Sequence, residues 1–132
     1  MTGANRFVDS ALCATLNRYG VFVRSAMRTL NSQLDSAEAF AICDLSSDAD
    51  WRGDLRSGEQ VVCSAARVNL MNGAEPERRA VFRAVNVDGT SRLVRQAVAA
   101  GVKRFVSISS VKVNGESTLL GCAFIETDVC NP

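Results

Sequence analysis

Residues 76–110, PERRAVFRAVNVDGTSRLVRQAVAAGVKRFVSISS, read as one helix followed by one strand, and this pair decides the fold. From Pro76 to Ala100 the apolar residues Val81, Phe82, Val85, Leu93, Val94, Ala97 and Val98 recur at helical spacing, with Arg78, Arg79, Arg92 and Arg95 between them. Pro76 suits a first helical turn, where its missing N–H costs nothing, and Gly101 supplies a stop. Arg104-Phe105-Val106-Ser107-Ile108 then reads as a strand ending at Ser109-Ser110.

Working outward, Val61–Ala66, Ala39–Cys43 and Val21–Met27 are three further short strands. Phe7, Val8, Leu12, Leu16 and Tyr19 place a helix over Phe7–Tyr19, closed by Gly20. Short continuous apolar runs suit strands buried on both faces. The order helix, strand, strand, strand, helix, strand predicts an α/β chain, doubly wound around a mainly parallel sheet.

Composition narrows the function classes. The 132 residues, 47% hydrophobic and 22% charged, fit one domain over 1–132 without repeats or linkers. A formal charge of +1 provides no field to draw in nucleic acid or an anionic membrane. Histidine is absent, which excludes serine–histidine and cysteine–histidine catalysis and removes the commonest metal ligand. Five cysteines without a C-x-x-C pair indicate neither zinc nor a disulfide framework, and are expected to be buried thiols. No apolar run approaches a membrane span, so a cytoplasmic protein with no membrane or nucleic-acid partner is expected. The P-loop pattern is also missing. One tyrosine, Tyr19, and two lysines, Lys103 and Lys112, give no tyrosine–lysine acid/base pair at local spacing.

Several segments carry a resemblance. TGANRFVDSAL (2–12), CDLSSDADW (43–51), VVCSAARV (61–68), FRAVNVDGTSRLVRQAVAAGVKRFVSISS (82–110) and VKVNGE (111–116) stand in the order and spacing of the extended short-chain dehydrogenase/reductase family. More narrowly, they are similar to the NAD(P)-dependent nucleotide-sugar epimerases and dehydratases, with NVDGT followed by GVKRFVSISS the most specific part. The resemblance implies a Rossmann-like domain, an NAD or NADP cofactor and a nucleotide-sugar substrate. It also implies transient hydride transfer between sugar and nicotinamide, and a homodimer through the Pro76–Ala100 helix.

Roles carry over on matching positions. Gly3, Arg6 and Asp9 occupy the three glycine positions of the family's T-G-x-x-G-x-x-G loop, so the backbone through Ala4, Asn5, Arg6, Phe7 and Val8 would face the pyrophosphate at a helix N-terminus. Asp44 and Leu45 match the acidic–apolar pair that caps the adenine. Ala65 and Ala66 match the small residues beside the cofactor, and Asn86 the asparagine of N-V-x-G-T. Ser109 falls beside the cofactor, and Ser110 matches the serine that hydrogen-bonds the reacting sugar oxygen.

Departures from the pattern set further expectations. Arg6 puts a side chain in phosphate space, and Asp9 puts a carboxylate where close packing and a negative ligand are expected. The family's acidic ribose ligand, about 20 residues past the glycine loop, is replaced in that region by Arg24 and Arg28; an arginine there either takes the 2′-phosphate of NADP or, the plainer reading, is a surface arginine, and the choice between NAD and NADP stays open. Only Met1 precedes Thr2 where the family has an apolar first strand. The sheet is thus expected to close a gap, borrow a strand or stay poorly ordered. The sequence ends at Pro132, ahead of the tyrosine–lysine pair and the substrate domain, so turnover by this polypeptide is not expected. The competing reading is a catalytically silent α/β module that binds a nucleotide or a protein.

Overall fold

The computed structural model describes residues 1–3, 7–28, 38–41, 45–67 and 74–131. Helix α1 (Phe7–Arg18) precedes strand β1 (Arg24–Met27), and strands β2 (Glu38–Ala41) and β3 (Gln60–Cys63) follow. A long helical segment then leads to β4 (Arg104–Ser107). The expected helices and strands are all present, the strands starting or stopping a few residues away from their apolar runs. Val21 and Phe22, for example, are exposed ahead of β1, and Ile42 and Cys43, expected to close the second strand, lie outside the described residues.

β1 pairs in parallel with β2, and β3 in parallel with β4. The two pairs meet at Thr2, which makes parallel bridges to both Ala26 and Cys63. Its backbone N–H donates to the Val62 carbonyl at 3.0 Å, the Ala26 N–H donates to the Met1 carbonyl at 2.7 Å, and the Gly3 N–H to the Ala26 carbonyl at 3.1 Å. Across the sheet the order is therefore β2, β1, the Met1–Gly3 segment, β3, β4. The gap expected between the central strands is spanned, at its C-terminal end, by these three residues.

Side-chain alternation along β1 explains why helices cover both faces. Val23 and Met27 pack with Cys13 of α1, joined by Met1 and Leu16, and the Ser25 hydroxyl lies 3.7 Å from the Cys13 sulfur. Ala26 points the other way, into a larger core with Leu45, Trp51, Leu55, Val61, Cys63, Leu93 and Ala97. Burying a leucine-sized side chain there contributes about 1.5–3 kcal/mol. Trp51, Leu55 and Leu45 come from the polar-looking loop between β2 and β3. Gln96 pins that loop: its Oε1 accepts from the Trp51 N–H at 2.7 Å and its Nε2 donates to the Ala49 carbonyl at 2.8 Å.

The segment expected as one regular helix over Pro76–Ala100 is corrected in its middle. It consists of α2 (Glu75–Arg83), a π-helical stretch (Ala84–Gly89) and α3 (Thr90–Ala99). Pro76 sits in the first turn of α2, where no intrahelical donor is lost. Two contacts fix the widened turns: Asn86 bonds the chain after β3, and Gly89 runs against the Leu45 backbone. A Cβ at Gly89 would stand 2.8 Å from the Leu45 carbonyl carbon and oxygen, a distance only glycine permits.

The cysteines divide. Cys13 and Cys63 are buried as expected, whereas Cys122 and Cys130 are exposed, a correction that follows from residues 114–131 contributing nothing to either core cluster. No helix among the described residues is long and apolar enough to cross a membrane.

Candidate functional site

The candidate site lies where the strand order changes direction, beyond the C-terminal ends of β1 and β3, the place where open α/β sheets bind ligands. Thr2, 3% exposed, anchors it. Its carbonyl accepts from the Ser64 hydroxyl at 2.6 Å, and its own hydroxyl accepts from the Ala65 N–H at 3.3 Å. Two backbone turns, one after Thr2 and one after β3, are thus tied side by side. Gly3 turns the first with φ +77°, a left-handed conformation that side chains resist. Residues Ala4, Asn5 and Arg6 lie outside the described residues, and the chain resumes at Phe7 as α1.

Asp9 occupies the first turn of α1, with 3% exposure. Its Oδ2 stands 3.1 Å from where a Gly3 Cβ would be, and the Ala65 nitrogen is equally near that point. Its Oδ1 meets no hydrogen-bond partner among the described residues. Nearby, the Met1 ammonium donates to the Arg24 carbonyl at 2.6 Å. Burial lowers its pKa below the ordinary 8.0, with the Cys13 and Cys63 thiols and Asp9 pulling the other way.

The other sequence candidates are spread around this seam. Phe7 and Val8 are exposed, 93% and 62%. Ala65 and Ala66 are half-buried at the end of β3. Leu45 is buried in the larger core, and its neighbour Asp44 lies outside the described residues. Asn86 forms a closed pair with one residue: its Oδ1 accepts from the Arg67 N–H at 2.8 Å and its Nδ2 donates to the Arg67 carbonyl at 2.9 Å. It therefore positions the chain leaving Ala65 and Ala66. Ser109 and Ser110 are exposed after β4, and the Ser110 hydroxyl accepts from the Lys112 N–H at 3.3 Å, capping a single 3-10 turn (Val111–Val113).

Of the two arginines, Arg24 is committed. Its guanidinium pairs with Glu38 at 2.7 Å and donates to the Asp54 and Arg56 carbonyls at 2.8 and 3.0 Å. Arg28 is exposed just beyond β1. In the loop after Leu45, hydrogen bonds from Ser46 to Asp48 and from Arg52 to Asp50 hold both carboxyls below the ordinary carboxylate value. No cluster of potential metal ligands occurs among the described residues.

Sequence reasoning did not single out Thr2 as an anchor, nor Gln96, Trp51 or Gly89. A glycine inside a helical pattern was the one available signal, since it marks close approach by another backbone. Nothing in the spacing distinguished Gln96 from a solvated polar residue.

The residues present do not fit the diphosphate of a dinucleotide as they stand. Such a group needs amide donors at a helix N-terminus and no competing anion, whereas the Asp9 carboxylate is buried in the seam.

Residues 1–131 match the model of the NAD dependent epimerase/dehydratase family. A UDP-glucose 4-epimerase of Vibrio cholerae is 39% identical over 129 residues, covering 97% of this chain and 39% of that protein. A 3-beta-hydroxysteroid dehydrogenase of Mycolicibacterium neoaurum is 33% identical, covering 90% of this chain and 36% of its own length. Among solved structures, MoeE5 in complex with UDP-glucose and NAD superposes with a TM-score of 0.77 at 28% identity, covering 99% of this chain and 41% of that one. The complex with UDP-glucuronic acid and NAD gives 0.79. The chain spans about two-fifths of the length of these relatives. With its Rossmann-like order of parallel strands and its match over residues 1–131, the chain belongs to the NAD-dependent epimerase/dehydratase family.

Proposed function

We propose that this chain is the dinucleotide-domain part of a nucleotide-sugar epimerase or dehydratase and does not turn over by itself. The observation that carries the reading is the Thr2–Gly3 turn, which leaves the sheet between β1 and β3 immediately ahead of α1. Relatives whose structures hold NAD together with UDP-glucose or UDP-glucuronic acid support a nucleotide-sugar substrate.

The chain's own residues supply part of what such chemistry needs. Ser110, exposed after β4, keeps its hydroxyl proton for a sugar oxygen while its lone pair caps the following turn. Asn86 and Thr2 hold the turn after β3 beside the glycine turn. A proton shuttle is not among these residues: Tyr19 is exposed at the far end of α1, and Lys103 is paired with Glu59. A serine alone donates a hydrogen bond without moving a proton between substrate and solvent.

For the cofactor the reading is NAD or NADP. The neighbours hold NAD, while the buried Asp9 carboxylate stands against either cofactor at this chain's glycine turn. The helical segment 75–99, of which α2 buries no residue, is the surface assigned to a homodimer, and the compartment assigned is the cytoplasm.

Incubating the purified chain with UDP-glucose and NAD, and following UDP-galactose by chromatography, tests the reading. No epimerisation is expected, and sustained turnover would overturn the claim that the chain is inactive alone. The second reading, a non-catalytic α/β module, is favoured by the buried Asp9. A shift of the thermal midpoint by a protein or nucleotide partner other than NADH and NADPH would select it.

A further inference from the structure

Asp9 is a group for which the proposed function has no use. At the third position of α1, where the family pattern has a glycine for close packing of helix on sheet, the chain carries a carboxylate. It is 3% exposed, with Oδ2 3.1 Å from where a Gly3 Cβ would stand and Oδ1 unpartnered among the described residues. A carboxylate in that position has given up hydration without a full set of donors. Gly3 belongs to the turn that the Thr2 hydroxyl ties to Ala65, so Asp9 brings volume and a carboxylate to the side of that turn.

We infer that Asp9 is an internal anion that excludes the diphosphate of a dinucleotide from this chain's own glycine turn. The inference rests on reading that turn as the dinucleotide cradle. The helix N-terminus attracts an anion, and the chain brings one of its own on the same helix. A diphosphate held at the Gly3 turn would face a carboxylate shielded from solvent, where like-charge repulsion is strongly felt. It also meets a side chain in the space beside Gly3. The chain thereby keeps the family's fold while closing the family's nucleotide entrance.

The test uses the full chain in an Arg6→Gly background, so that the other replaced glycine position does not mask the result. Arg6→Gly is compared with Arg6→Gly/Asp9→Gly and Arg6→Gly/Asp9→Asn, by NADH fluorescence titration alongside thermal melts. The glycine variant is expected to bind NADH at least about tenfold more tightly than Arg6→Gly. The asparagine variant, which removes the charge but keeps the volume, should fall between them. It also covers the case in which glycine in a helix prevents folding. Equal NADH affinity in all three overturns the inference and leaves the dinucleotide reading standing. Three cooperative melts with no NADH binding in any variant overturn that reading, and the inference with it.

Discussion

Replacing Gly89 by alanine gives the sharpest test of how the helical segment docks on the sheet. The added methyl would stand 2.8 Å from both the carbonyl carbon and the oxygen of Leu45, and 3.0 Å from its Cγ. Comfortable contacts between such atoms lie at about 3.5–4.0 Å, so the overlap approaches 1 Å. It falls on backbone, which cannot rotate out of the way. Leu45 is itself 3% exposed, within the core that holds Trp51 and Leu93. Overpacking of this kind costs about 1–3 kcal/mol. Against it stands the gain of alanine over glycine in a helix interior, about 0.5–1 kcal/mol. The net expectation is a loss of about 1–2 kcal/mol, or a fall in thermal midpoint of roughly 4–8 °C for a chain of this size. Far-UV circular dichroism melts would read it. Gly53→Ala is the control, because nothing lies within 4 Å of its Cβ position, and its midpoint should hold or rise. A Gly89→Ala midpoint that rises as in an ordinary helix would refute the close approach to Leu45 and the reason given for the π-helical turns.

Two further outcomes follow from the polar contacts. Gln96→Ala removes both bonds that pin the Trp51 loop and leaves the buried Trp51 N–H without its acceptor, a loss of about 1–3 kcal/mol; an unchanged urea midpoint would show that the loop is held by packing alone. The Glu59–Lys103 pair at 2.7 Å joins the starts of β3 and β4, lowering the Glu59 pKa below 4.5 and raising that of Lys103 above 10.5. Its contribution is therefore complete between those values. It is lost as pH falls below 4.5 through the lowered Glu59 value, and again as pH rises above 10.5 through the raised lysine value. Both side chains are exposed and the effect is small. Lys103→Met should flatten the acid limb of a midpoint-against-pH curve, and an acid limb identical to that of the unaltered chain would remove the pair as its cause.

The elements were legible because each is set by local periodicity. The apolar residues of α1 and of the segment after Pro76 repeat with the helix, and the strands are short apolar runs. The π-helical turns were not legible. They depend on Asn86 meeting Arg67 and on Gly89 meeting Leu45, residues 19 and 44 positions away in the chain. Around the site, the glycine turn could be read from Thr2 and Gly3, and the alien character of Asp9 from its place in the pattern. Its burial at 3% exposure agrees with that place, the close contact of helix and sheet; that Oδ1 meets no donor among the described residues could not be read.

By itself, then, the sequence determined the α/β order, the absence of histidine chemistry and the family likeness, because composition and local spacing suffice for these. Only the tertiary structure decided that Thr2 joins the two halves of the sheet, that Arg24 is tied to Glu38 and the carbonyls after Trp51, and that Asp9 Oδ1 meets no donor among the described residues. Each of those facts depends on which distant groups come within hydrogen-bonding reach. Chain packing fixes this, and no local pattern records it.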